Sequence, residues 1–267
     1  MVLVVKAGGR ALAQNMEGIV KDIARVSKNE QVVFVHGGGD EVTDVCRKLS
    51  IEPKFVVSPE GIRSRYTDEK ELEVYVMVMG GKLNKTIVSK LVALNVNAIG
   101  ISGVDGPTLI AERKKKIVVV DERGRKRVID GGYTGKIVRV EKDLINKLLN
   151  VGYVVVLAPI AVDNEGTLLN VDGDQAAYAI ASALKATYMI LLTDVEGVII
   201  DGALIKRLKV SEVEDAIKSI GFGMNRKVML AKRAVEEGVS KAVISSGLIE
   251  NPISGALQGI GTVIELG

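Results

Sequence analysis

Two hydrophobic rhythms alternate along the chain. Short runs rich in Val, Ile and Leu occur at 1–9 (MVLVVKAGG), 31–39 (QVVFVHGGG), 153–162 (YVVVLAPIAV), 187–195 (TYMILLTDV) and 241–247 (KAVISSG), each the length of one strand. Between them, at 16–28 (MEGIVKDIARVSK), 40–49 (DEVTDVCRKL), 174–186 (DQAAYAIASALKA) and 225–238 (NRKVMLAKRAVEEG), apolar residues recur every three or four positions, which predicts helices. The first two strands end in glycines and lead straight into helices, the βαβ signature of a parallel sheet covered on both faces. The expected fold class is therefore α/β: a three-layer αβα sandwich with a mainly parallel central sheet and two lobes. The alternation is interrupted by 96–106 (VNAIGISGVDG) and by 111–128 (AERKKKIVVVDERGRKRV), where IVVVD and KRVID flank ERGR as a β-hairpin would. No repeat or flexible linker separates the halves, so one domain spanning 1–267 is expected, with lobes at roughly 1–160 and 161–267.

Composition narrows the chemistry. Aromatic residues are 3% of the chain and Trp is absent, which argues against a base-stacking surface. A single cysteine, Cys46, allows no internal disulfide, and a single histidine, His36, allows no histidine-based metal site. Cys46 reads as a small core residue and His36 as a structural member of its glycine turn. No apolar run reaches the roughly 18 residues of a membrane span, and the N-terminus lacks a signal-peptide layout. A soluble cytoplasmic protein is expected, and the abundance of Lys, Arg and Glu fits adaptation to heat. The formal net charge is only +3, yet one segment holds Arg113, Lys114, Lys115, Lys116, Arg123, Arg125, Lys126 and Arg127. Three explanations are open: a solvated hairpin that protects a sheet edge, a nucleic-acid surface, or a docking face for an acidic protein.

Glycines cluster at three strand ends: Lys6-Ala7-Gly8-Gly9, His36-Gly37-Gly38-Gly39 and Ile101-Ser102-Gly103. Backbone N–H groups there can approach an anion closely, and a following helix adds its dipole. Each cluster alone is also an ordinary strand-to-helix turn. Neither GxxxxGK[ST] nor GxGxxG occurs, so any nucleotide is held by another arrangement.

The order of the clusters adds to this. Lys6-Ala7-Gly8-Gly9, His36-Gly37-Gly38-Gly39, Gly61-Ile62-Arg63, Asn170 through Ala177 (NVDGDQAA), Thr193 through Gly197 (TDVEG), and Gly223-Met224 leading to Lys227 resemble the amino acid kinase family over essentially the whole chain. Within it the chain is similar to the acetylglutamate kinase branch. The segment GIRSRYTD at 61–68 looks like the variant that acts on aminoadipate or glutamate attached to a small acidic amino-group carrier protein of the LysW type.

The resemblance implies an ATP-dependent phosphotransferase with a carboxylate acceptor, an acceptor-binding first lobe and an ATP-binding second lobe. Lys6 and Lys227 would stabilise the transferring phosphate, with Asp174 positioning both. Gly8, Gly9, Gly38 and Gly39 would supply N–H groups around the transferring phosphate, Gly38 and Gly39 would also touch the acceptor, and Asp194 would lie beside the nucleotide. Arg63 would fork onto the acceptor's α-carboxylate, and Asn170 would bond near its substituted nitrogen. Mg²⁺ would accompany ATP, held by phosphates and water with no protein ligand. The basic hairpin would meet the carrier, with Arg65 and Tyr66 as further carrier or substrate contacts, and the oligomer would be a homodimer without membrane or nucleic-acid contacts. Residue by residue, simpler readings stay open: Lys6 as a snorkelling strand-end lysine, Lys227 as a solvated helix lysine, Asp174 as a helix N-cap. A kinase for free acetylglutamate and a non-catalytic sensor of nucleotide or amino acid are the alternative functions.

Overall fold

The computed structural model describes residues 1–59, 61 and 63–267; Ile62, within the segment expected at the acceptor, lies outside the described residues. The central sheet has eight strands, in the order Arg207–Lys209, Thr262–Glu265, Lys241–Ser246, Tyr188–Thr193, Val2–Ala7, Gln31–His36, Val154–Ala158 and Ala98–Ser102. Every neighbouring pair is parallel except Lys241–Ser246 with Thr262–Glu265. The mainly parallel sandwich expected from the alternation is the one found.

Strand residues divide between two cores. Val4, Val33, Val35, Val155, Leu157 and Leu191 pack on one face, and Leu3, Val5, Phe34, Val156 and Ile190 on the other. Successive side chains point to opposite faces and both faces are covered, so the strands must be apolar throughout. Helices Asp143–Asn150, Gly173–Leu184 and Phe222–Glu236 cover the first face. Gly9–Val26, Asn84–Ala93 and Pro252–Leu257 cover the second.

The first helix begins at Gly9, seven residues before the periodic stretch at 16, and kinks at Asn15 (φ −140°, ψ 41°). Asn15 Nδ2 donates to the carbonyls of Gly247 and Ile249, each at 2.8 Å. The side-chain bonds hold a non-helical residue inside the helix, which breaks the apolar period and hides the first two turns from a pattern reading.

A four-stranded sheet (Leu168–Asn170, Ile160–Val162, Leu109–Arg113, Gly135–Val140) and two hairpins stand beside the central sheet. One hairpin pairs Lys54–Val57 with Arg63–Tyr66 and the other pairs Lys116–Val120 with Lys126–Asp130, the latter as predicted. Helix Glu69–Val76 runs through a π-helical stretch, Met77–Leu83, into Asn84–Ala93. Among the described residues, no helix is long and apolar enough to cross a membrane. The chain leaves the central strand Val2–Ala7 for Gln31–His36 on one side, while Tyr188–Thr193 lies on the other. The carboxyl ends of these strands therefore open a crevice, the usual ligand position in such sheets.

Candidate active site

Lys6 lies on the same strand face as Val4, so its side chain leaves the sheet toward helices Gly173–Leu184 and Phe222–Glu236. These helices present Asp174 and Lys227. Lys6 Nζ lies 2.8 Å from Asp174 Oδ1, and Lys227 Nζ donates to Asp174 Oδ2. The helix cap is Asp172, whose Oδ1 accepts from Gln175 N at 2.9 Å, which leaves Asp174 to the lysines and disposes of the N-cap reading. Lys6 and Asp174 are each 8% exposed. Burial would push the Asp174 carboxyl up, but the charges of Lys6 and Lys227 outweigh it and hold the group well below the usual carboxylate range. Burial likewise opposes the Lys6 ammonium, and Asp174 more than offsets it, raising Lys6 above the ordinary lysine value.

Beside the lysines, helices Gly9–Val26 and Gly39–Lys48 begin without side-chain caps, so their first-turn N–H groups are available to an anion. The two glycine turns touch. A Cβ on Gly37 would come 2.7 Å from Gly9 N, a backbone atom, so no larger residue fits there without moving the turn, while one on Gly38 would push on the end of the Leu83 side chain at 2.1 Å. One expectation changes here: Gly8 N donates to Leu192 O at 3.0 Å. Its N–H extends the strand pairing, and Gly9, Gly38 and Gly39 remain as candidate donors.

Lys6, these glycines, Arg63, Asn170 and Arg226 line one cleft of about 610 Å³. The Arg63 guanidinium stacks 3.7 Å from the centroid of the Phe55 ring, which holds its plane while leaving its N–H fork open. Asn170 Nδ2 donates to Thr67 Oγ1 at 2.8 Å, and Thr134 and Gly135 complete that wall. Asp194 is not brought into this cleft. It sits at the end of the neighbouring strand, accepts from Thr193 Oγ1 at 3.1 Å and pairs with Arg10 at 3.4 Å on the surface.

The basic residues prove unequal. Arg65 bonds Glu71, the Gly39 carbonyl at 2.7 Å and Thr43 Oγ1 at 2.5 Å; its side chain is only 10% exposed. Its guanidinium fastens the hairpin to the glycine turn and is not free for a partner. Arg113 donates to Gly132 O at 2.7 Å and lies over the Tyr133 ring. Arg125 and Arg127 converge on Asp121 at 3.2 and 2.8 Å, while the Arg123 N–H closes the turn on the same carboxylate. Among the described residues, the side chains of Lys114, Lys115, Lys116, Arg123 and Lys126 make no ion pair. Lys114 and Lys126 help line a second cavity of about 610 Å³ between the two hairpins. Ser58, Ser64, Arg65, Lys114 and Thr134 belong to both cavities, so a trough runs from Lys6 to the basic hairpin.

Arg226, Asp172, Tyr75 and Met79 also line the cleft, and the sequence reading named none of them as site residues. Arg226 Nη2 pairs with Asp172 Oδ2 at 3.4 Å. Its adjacency to Lys227 was an available signal. Tyr75 and Met79 are four apart on one helical face, a spacing that resembles any core stripe. Cys46 is fully buried in a third apolar cluster, as expected. His36 is also fully buried.

Comparison with known proteins identifies the family. Residues 1–246 match the amino acid kinase family. A Sulfolobus acidocaldarius protein named LysW-aminoadipate/LysW-glutamate kinase is 54% identical over 265 residues, covering 99% of this chain and 100% of the relative. Its namesake from Sulfurisphaera tokodaii is 55% identical over 264 residues, covering 98% and 100%. Among solved structures, Giardia lamblia carbamate kinase bound to AMP-PNP superposes with a TM-score of 0.70 at 18% identity, over 99% of this chain and 98% of that one. Neisseria gonorrhoeae N-acetylglutamate synthase with coenzyme A and N-acetyl-glutamate gives 0.80 at 24% identity, over 99% and 59%; at these identities the likeness speaks for the fold alone. With the family matched over most of its length and relatives alike from end to end, this chain belongs to the amino acid kinase family.

Proposed function

We propose that the chain transfers the γ-phosphoryl group of ATP to the side-chain carboxylate of aminoadipate, and of glutamate, each joined through its amino group to a small acidic carrier protein. The trough carries this reading: a free acceptor would fill the cleft and leave the second cavity and its lysines without a task, whereas a tethered acceptor extends along both. The names of the relatives support the same acceptors.

The acceptor carboxylate is already ionised at neutral pH, so it needs no general base. The difficulty is to bring it against an anionic phosphate, and Lys6, Lys227 and the N–H groups of Gly9, Gly38 and Gly39 supply the opposing charge. Asp174 holds the two ammonium groups together against their mutual repulsion. Arg63 forks onto the acceptor's α-carboxylate, and Asn170 hydrogen-bonds beside the amide nitrogen. Uncapped helix ends next to paired lysines suit a triphosphate, and Mg²⁺ would enter on its phosphates and spread their charge. Lys114, Lys115, Lys116, Arg123 and Lys126 meet the carrier, while Arg65, Arg113, Arg125 and Arg127 shape the surface that presents them. Aminoadipate and glutamate differ by one methylene, worth about 1–3 kcal/mol in a pocket, so one enzyme serves lysine and arginine synthesis alike. The same reading includes a cytoplasmic homodimer, checked by light scattering.

The test is to incubate the protein with ATP, Mg²⁺ and carrier-linked aminoadipate, trap acyl phosphate with hydroxylamine and weigh the intact carrier. A hydroxamate on the carrier is expected; its absence with both carrier-linked acceptors overturns the proposal.

A further inference from the structure

His36 is the only histidine in the chain, it is fully buried beneath the glycine turn, and the phosphoryl transfer proposed above makes no use of it as a base. Strand parity explains why it cannot serve as one. Val32 and Phe34 share its face and belong to the core opposite the one under Lys6, so the sheet separates the imidazole from the reacting groups. Burial lowers its pKa to about 4, against a smaller upward pull from the Gly37 carbonyl, and the ring is neutral in use.

Its two nitrogens are not equivalent. Asn84, 1% exposed, turns its Nδ2 toward the carbonyls of Val156 at 3.0 Å and Ile101 at 3.3 Å, while its Oδ1 accepts from Lys85 Nζ at 3.1 Å. Those three partners fix which end of the amide is the donor. The donor end also lies 3.4 Å from His36 Nε2, the longest of its three contacts; a proton on Nε2 would face these N–H groups, whereas a lone pair there and a proton on Nδ1 suit both neighbours of the ring. Nδ1 in turn lies 3.2 Å from the Gly37 carbonyl, to which it donates.

That bond has a consequence across the turn. In a trans peptide the C=O and the following N–H point in opposite directions. The Gly37 carbonyl is held toward the buried ring, so the Gly38 N–H is directed the other way, toward the cleft that Gly38 lines. Gly37 N is itself fixed on Ala7 O at 2.9 Å, and among the described residues the Gly38 N–H has no acceptor. We infer that His36, held by Asn84 with its proton on Nδ1, is a positioning residue that aims the Gly38 N–H at the transferring phosphate. The inference rests on the kinase reading for the identity of the anion, but the tautomer does not.

With one histidine, long-range proton–nitrogen NMR correlations of uniformly labelled protein report the tautomer directly. A protonated Nδ1 and an unprotonated Nε2 near neutral pH are expected; the reverse, or a mixture, overturns the inference without any measurement of activity. The Gly38 amide resonance is then followed on adding AMP-PNP with Mg²⁺. His36→Asn places an amide N–H where Nδ1 stands, and should keep the wild-type amide shift and kcat. His36→Gln places its amide at the Nε2 position, and should lose the shift and about tenfold in kcat, with KM for both substrates unchanged. Equal behaviour of the two variants, or a loss confined to thermal stability, would show that the ring only fills space. Were the wild type to phosphorylate nothing, the kinase reading would fall, while the tautomer and the amide shift would still decide the role of His36.

Discussion

The proposed catalytic centre and the basic hairpin both gather positive charge, and they handle it in opposite ways. Lys6 and Lys227 are drawn together on one buried carboxylate and fixed by two helices and a strand. The hairpin spreads its charge over two exposed strands, gathers Arg125 and Arg127 on the one carboxylate of Asp121, and leaves several lysines in solvent. Buried charge is effective at close range but must be paired with an opposite charge. Exposed charge is individually weak and salt-sensitive, and acts through its sum. The first arrangement suits stabilisation of a transferring phosphate; the second suits steering of an acidic protein.

The largest effect is expected from breaking the centre. Lys227→Ala should lower kcat/KM by about 10³-fold with the fold retained, measured as hydroxamate formation beside circular dichroism. Next, Asp174→Asn leaves two ammonium groups uncompensated and should cost about 3 kcal/mol of stability at neutral pH. The sign of its pH dependence follows from the lowered carboxyl. The contribution of Asp174 is present above the ordinary value of 3.8 and is lost as the pH falls below it toward the folded value. Wild type should therefore approach the variant's stability as urea midpoints are followed from about pH 6 to about pH 3.

Changes to the hairpin should be milder and selective. Lys115, Lys116 and Lys126 changed together to Glu should raise KM for the carrier-linked acceptor about tenfold at low salt, with kcat preserved and a smaller effect at moderate salt. Initial rates across an ionic-strength series test this, and an equal loss at every salt concentration would mean that the charges act structurally. The smallest effect is expected from Phe55→Leu, which removes the ring beneath Arg63 and should raise acceptor KM about threefold, in line with a cation–π contact worth about 0.5–1 kcal/mol.

The same contrast explains what could be read in advance. Strands buried on both faces must be apolar along their length, so the sheet and most of its helices were legible from periodicity. Lys6, Asp174 and Lys227 stood out by their place in an ordered set of motifs, although each alone had an ordinary explanation. What remained hidden depends on partners distant in sequence. Whether an arginine is free depends on which carboxylate or carbonyl the fold brings to it, so Arg65 and Lys114 looked alike in a string and differ in space. Gly8 likewise differs from Gly9 only because Leu192 O lies beside it. The start of the first helix was obscured because Asn15 bonds to carbonyls more than 200 positions away.

The most direct test of the account is kcat/KM for carrier-linked aminoadipate against free N-acetylated glutamate, each measured at low and at moderate salt. The account predicts that the tethered acceptor is preferred by about 10²-fold or more at low salt and that its advantage shrinks as salt is added. Equal values for the two acceptors, unchanged by salt, would contradict delivery along the trough and leave the hairpin as a solvated edge.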